Sequence, residues 1–215
     1  MKKFIKRILD IAISGIALLV LSPLFLILAI WIRIDSEGRI FFKQRRVGLE
    51  QRVFRVIKFR TMIDREPDSI DQHREQVVSE GDDPRITRSG KFLRKTSLDE
   101  LPQLWNIFIG DMSLVGPRPI LPEQLEVVPP EYLSRFSVRP GLTGLAQVRG
   151  RRSLGWLQQV EADAEYARNY GFFYDLGLLF RTVHVVLTGK GIYGGEVQNW
   201  RAYRDSLRKE GKERK

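Results

Sequence analysis

The chain has 215 residues, 43% of them hydrophobic, with a formal net charge of +10, no cysteine and two histidines, His73 and His184. Such a length suits one folded domain with an appendage, and the missing cysteines exclude a thiolate nucleophile and a cysteine-based zinc site. The basicity sits at the ends: residues 1–60 carry 13 basic against 4 acidic side chains, residues 61–200 carry 16 against 19, and residues 201–215 carry 7 against 3. That distribution argues against a nucleic-acid partner, which needs a basic reading face, and suits anionic membrane lipids.

Ile11 to Ile32 is free of charge over 22 residues, the length of a bilayer span. Ser22-Pro23 interrupts it, and proline removes a backbone hydrogen bond. Each half reaches only about 15 Å at 1.5 Å per residue. Lys2, Lys3, Lys6 and Arg7 flank one end and Arg33, Arg39, Lys43, Arg45 and Arg46 the other, so the positive-inside rule places both flanks on the cytoplasmic side. A helix that enters, breaks and returns satisfies both observations, with a Pro-kinked transmembrane helix as the alternative.

Arg39 to Lys43 and Arg52 to Arg60 are short Val/Ile/Phe-rich runs around Gly48, the pattern of a small β-hairpin. Lys58 and Arg60 alternate onto one face, either solvated or forming a cationic wall for a phosphate. Asp64 to Asp83 is strongly acidic and reads as a surface excursion, a lid or a short exposed helix, with His73 solvated inside it.

Thr96-Ser97-Leu98-Asp99-Glu100-Leu101-Pro102-Gln103 places two carboxylates directly after Arg94-Lys95. Carboxylates among cations stay ionised, which suits a nucleophile or a metal ligand. A structural role competes: Ser97 and Glu100 fit a capping box, although Pro102 conflicts with that register. A cap at Asp99 removes the conflict and favours ionised Asp99 through the helix dipole.

Downstream, Arg139-Pro140-Gly141-Leu142 has the order of a type II turn. Thr143, Gly144, Gln147, Gly150 and Arg151 follow, a loop whose amide and guanidinium donors suit a phosphate or nucleotide, or simply a turn. Trp156 to Asn169 reads as a helix. Phe172 to Thr188 reads as a core or interfacial helix interrupted by Asp175, Arg181 and His184. Trp200 and Tyr203 precede a basic tail and are placed at headgroup level or in a loosely ordered terminus.

These segments together resemble the bacterial sugar transferase family, the monotopic polyprenyl-phosphate phosphoglycosyl transferases, from Lys6-Arg7-Ile8-Leu9-Asp10 to Asp175-Leu176. The matches include Ser22-Pro23, Val56-Ile57-Lys58-Phe59-Arg60-Thr61-Met62, the Arg94 to Gln103 stretch, Gly110 to Pro119 and Arg139 to Gly144. The resemblance implies an enzyme that transfers a sugar phosphate from a UDP-sugar to polyprenyl (undecaprenyl) phosphate and releases UMP. It would open a glycoconjugate assembly on the cytoplasmic face of a bacterial inner membrane. It implies Asp99 as the nucleophile forming a covalent phosphosugar, Glu100 as its assistant that deprotonates the incoming lipid phosphate, and Mg2+ bound beside the pair.

Arg94, Arg118, Arg139 and Arg151 are then the candidate diphosphate ligands, with Lys58 and Arg60 behind them and Gln147 in the nucleotide loop. Asp163 matches a recurrent acidic position that holds a cation or an arginine, unless it is a surface salt bridge. Leu145 and Arg149 stand where tryptophan and asparagine are frequent in the family, so no particular sugar is implied. The larger relatives' long multi-span N-terminal region is not seen, so a minimal catalytic unit is expected.

The expected fold is α+β and mostly helical. It comprises a re-entrant membrane anchor over 1–34, a cytosolic catalytic domain with a β-hairpin and interfacial helices over 35–200, and a basic tail over 201–215. A non-enzymatic membrane-anchored adaptor whose carboxylates are helix caps is the competing function.

Overall fold

The computed structural model describes residues 2–75, 83–150, 153–188 and 199–210. Its first two helices, α1 (Lys2–Val20) and α2 (Ser22–Asp35), meet at Leu21 with a bend of 61°. The bend follows from local chemistry. Ser22 Oγ donates back to the Leu19 carbonyl, and Pro23 falls in the first turn of α2, where its missing N–H costs least. Among the described residues no single helix is long and apolar enough to cross a membrane, whereas this bent pair together passes for length and composition.

α1 carries a polar stripe at helical spacing, and each member docks on the rest of the chain. Lys6 pairs with Asp175 at 2.6 Å, and Arg7 donates to the carbonyls of Ile107 and Phe108. Buried Asp10 accepts from Ser113 Oγ and the Leu114 amide. The remaining faces leave Phe4, Ile8, Ile16 and Leu19 exposed.

The hairpin forms as β1 (Phe41–Val47) and β2 (Val53–Phe59), antiparallel, with Arg45 opposite Arg55. The first strand runs later than its expected Arg39–Lys43, because the Gly48–Arg52 turn closes at Val47. Next come α3 (Arg88–Thr96), a 3-10 turn at Leu98–Glu100, and α4 (Gln103–Ile109). Two three-residue strands, β3 (Ser113–Val115) and β4 (Gly141–Thr143), pair in parallel, an element the sequence reading lacked. Between them lie α5 (Pro122–Leu125) and a 3-10 segment, Pro130–Ser137.

The expected type II turn at Pro140-Gly141 does not form. Positive-φ glycines among the described residues are Gly38 and Gly110, and Gly141 is instead a strand residue packed on Gly116. A Cβ there would lie 2.0 Å from the Gly116 nitrogen, so close packing rather than a turn requires the glycine.

α6 (Leu145–Arg149) follows β4, and α7 (Trp156–Asn169) and α8 (Phe172–Thr188) match their expected bounds. α7 runs through the core, contributing Trp156 and Val160 to one cluster with Val47 and Phe136, and Ala162 and Tyr166 to another with Val115 and Leu178. α9 (Trp200–Lys209) corrects the expected tail. Trp200 is only 7% exposed in the first of those clusters, so it is at neither headgroup level nor a loose end. His73 of the acidic excursion packs edge-on against it at 5.6 Å.

Candidate active site

A cleft of about 580 Å³ opens between β2, the 3-10 turn at Leu98–Glu100, α3, α6 and α8. It gathers Lys58, Arg94, Asp99, Glu100, Arg118 and Gln147 from segments far apart in sequence.

The carboxylates are placed by a chain reversal. Ser97 adopts φ 59° and ends α3 as its C-cap, and the 3-10 turn then presents Asp99 and Glu100. Neither expected cap exists: Ser97 makes no side-chain cap bond, and α4 begins after Pro102. Pro102 thus sits just ahead of α4, where its missing N–H costs nothing, and the register conflict disappears.

Glu100 is held from two sides. Its Oε1 accepts from Lys58 Nζ at 2.6 Å and from Arg118 Nη2 at 3.0 Å. Burial alone would raise its pKa, but Lys58 and Arg118 outweigh that and hold it well below the usual carboxylate range. Asp99 goes the other way. Burial, reinforced by Glu100 and opposed by Lys58, Arg94 and Arg118, pushes it above its ordinary value. The surrounding cations thus favour the ionised form of Glu100 as expected, whereas at Asp99 burial works against it, and a bound cation there would favour ionisation.

Arg118 owes its position to a buried ion pair. Arg135 and Asp163 are each 2% exposed and 2.5 Å apart. Asp163 accepts the Arg118 amide N–H, and Arg135 donates to the Arg118 carbonyl. Asp163 thus lies behind Arg118 and holds an arginine, not a substrate group. Burial pushes its carboxyl up to about 6 against the pull of Arg135, and burial also lowers Arg135.

Two other candidate ligands serve the backbone. Arg60, 3% exposed, lines the cleft with Lys58, but its guanidinium is committed to the backbone: it donates to the carbonyls of Ser36 and Glu37, closing the end of α2. Arg139 donates from Nε to the Gly110 carbonyl at 2.8 Å, beside the Arg7 contacts at the end of α4, and does not line the cleft. Arg94 does line it and donates from Nε to Thr61 Oγ1. Arg151 lies outside the described residues.

Gln147 is 8% exposed, and both its amide atoms lack a hydrogen-bond partner. The sequence reading missed Arg135 and Arg46. Arg46 lines the cleft and donates to Gln44 Oε1 at 2.6 Å. The alternation Phe42, Gln44, Arg46 on one face of β1 was the available signal, whereas no local motif marks Arg135.

A profile of the family described as bacterial sugar transferase matches residues 1–189. The chain is 38% identical over 199 residues to the exopolysaccharide production protein ExoY of Rhizobium meliloti, covering 87% of this chain and 88% of that protein. It is 41% identical over 198 residues to a UDP-glucose:undecaprenyl-phosphate glucose-1-phosphate transferase of Caulobacter vibrioides, covering 87% and 72%. It is 40% identical over 188 residues to the uncharacterised sugar transferase EpsL of Bacillus subtilis, covering 87% and 90%.

Proposed function

Because the chain belongs to the bacterial sugar transferase family, we propose that it moves a sugar phosphate from a UDP-sugar to polyprenyl phosphate and releases UMP. The observation that carries this reading is Glu100 clasped by Lys58 and Arg118 beside Asp99 in one cleft. A carboxylate can attack a diphosphate only where fixed cations offset the developing charge.

In the first step an Asp99 oxygen bonds to the phosphorus that bears the sugar. The bond from that phosphorus to the bridging oxygen breaks, and UMP leaves with the electron pair. The sugar phosphate remains on Asp99 as an acyl phosphate. In the second step an oxygen of the polyprenyl phosphate attacks the same phosphorus, the Asp99 carboxylate leaves, and the product is a polyprenyl-diphosphate sugar. Two displacements let one cleft serve a soluble donor and a lipid acceptor in turn.

Glu100 orients Lys58 and Arg118 in this scheme rather than acting as a base. A phosphate monoester has its second pKa near about 6 and arrives largely ionised at neutral pH. A carboxylate held low by two cations is also a poor proton acceptor.

Asp99 and Glu100 are hard oxygen donors, and among the described residues no cluster of three or more His, Cys, Asp or Glu stands ready for a metal. Two carboxylates suit Mg2+, which typically takes one or two from the protein and completes its shell with substrate phosphates and water. Bound there, Mg2+ supplies neutralisation of the diphosphate and favours the ionised form of Asp99.

The bent α1–α2 pair and the exposed apolar residues of α1, α2, α4 and α8, among them Ile27, Trp105, Phe108, Phe173 and Phe180, support a re-entrant anchor with interfacial helices. The basic flanks support the cytoplasmic face of a bacterial inner membrane. The test is UMP release from a panel of UDP-sugars in detergent with Mg2+ and polyprenyl phosphate. Wild type should release UMP and Asp99→Asn should not. Activity surviving in Asp99→Asn ends the covalent scheme, and an inactive wild type favours the adaptor reading.

A further inference from the structure

The lining of the cleft divides between charged and apolar groups. Lys58, Arg94 and Arg118 surround the carboxylates, whereas β4, α6 and α8 form an apolar lobe with Leu142, Ala146, Leu179 and Val185. Polar groups facing that lobe are few, and Gln159 among them donates from Nε2 to the Leu154 carbonyl at 2.8 Å. Thr182 Oγ1 donates to the Leu178 carbonyl at 2.7 Å, so in its 2.6 Å contact with Thr143 it accepts, and both hydroxyl protons are used. Gln147 is the exception: nine-tenths buried, lining the cleft, with amide oxygen and nitrogen both unpaired. A buried amide left unpaired is costly, so the lobe is built for a ligand that offers it one donor and one acceptor.

The charged part of a nucleotide sugar belongs against Lys58, Arg94 and Arg118, which leaves its sugar or its base for this lobe. A pyranose carries hydroxyls around its whole rim, and apolar walls with two carboxamides, one already bonded to the backbone, would strand most of them. A pyrimidine base has two apolar faces and an imide edge with N–H beside C=O, which one carboxamide can meet with two hydrogen bonds. We propose that Gln147 and the apolar lobe around it form the base subsite of the cleft and hold the imide edge of uracil. This rests on the UDP-sugar reading above and extends it to the part of the donor common to every UDP-sugar. Gln147 therefore fixes the nucleotide, and the choice of sugar is made elsewhere in the cleft.

The test is titration of the full chain in detergent with UMP and with N3-methyl-UMP, which lacks the imide proton, for wild type and Gln147→Leu. Wild type should bind UMP roughly 10- to 100-fold more tightly than N3-methyl-UMP, about tenfold for each neutral hydrogen bond lost. Gln147→Leu should weaken UMP to the level of the methylated probe and raise KM for the UDP-sugar while leaving KM for polyprenyl phosphate unchanged. The wild-type comparison needs no variant, so a folding defect in Gln147→Leu does not mask the answer. If wild type turns over UDP-sugars but binds the two probes equally, the base subsite is wrong and the transferase reading stands. If wild type neither binds UMP nor releases it from any UDP-sugar, both fall together.

Discussion

Breaking the Arg135–Asp163 pair from either side should have unequal consequences, because the two groups differ in how they can shed charge. Both are 2% exposed, paired at 2.5 Å through Arg135 Nη2, and Arg135 Nε and Nη1 have no hydrogen-bond partner. Asp163→Leu strands a guanidinium that cannot lose its proton, so the full penalty for a lone buried charge, about 3–5 kcal/mol, should appear. For a chain of this size that lowers Tm by about 6–20 °C.

Arg135→Met strands a carboxylate that can take up a proton. Asp163 already sits at about 6 beside its arginine, and without it the value rises further. The folded variant then binds a proton that the unfolded chain, with an ordinary aspartate, releases at lower pH. The stability of Arg135→Met should therefore fall as pH rises from the ordinary aspartate value through the raised one, and recover on acidification. The double variant, Arg135→Met with Asp163→Leu, should be more stable than Asp163→Leu alone, since apolar pairs replace buried ion pairs at little cost. It should nevertheless be catalytically poor, because both backbone contacts to Arg118 are gone. Thermal unfolding in detergent at several pH values, with UMP release alongside, checks all of this. Additive losses in the double variant, or singles within about 1 kcal/mol of wild type, would refute the clamp.

Lys58→Met and Arg118→Met each remove one of the two cations on Glu100, and each should cost about 10²- to 10³-fold in kcat with the fold retained, as measured by UMP release and circular dichroism. Single cysteines at Lys3 and Glu37, introduced into a chain with none of its own, should both resist labelling from outside intact cells. Labelling at one of them would make α1 and α2 a kinked span instead.

Much of the fold was legible because the long elements carry their own punctuation. α7 and α8 are bounded by Gly155 and by Tyr170-Gly171, and Ser22-Pro23 marked the bend. The parallel β3–β4 pair was not legible, since three residues leave no periodicity. The site divided along a different line. Asp99, Glu100, Lys58, Arg60, Arg94, Arg118 and Gln147 all line the cleft. Arg60, Arg139 and Asp163 carry the same charges in equally suggestive motifs, yet tertiary partners claim them: two sets of helix-end carbonyls and a buried arginine. The Ser97-x-x-Glu100 pattern failed for the same reason, because Lys58 and Arg118 hold the Glu100 side chain that a capping box needs. Local patterns identified which residues carry charge but not what those charges face.

The most direct measurement omits the lipid. Wild-type protein incubated with UDP-sugar and Mg2+ but no polyprenyl phosphate should release about one equivalent of UMP per chain, as a burst, and gain the mass of one sugar phosphate mapped to Asp99. Addition of polyprenyl phosphate should then discharge it. UMP release that requires the lipid, with no mass added to the chain at any time, would contradict Asp99 as a covalent nucleophile.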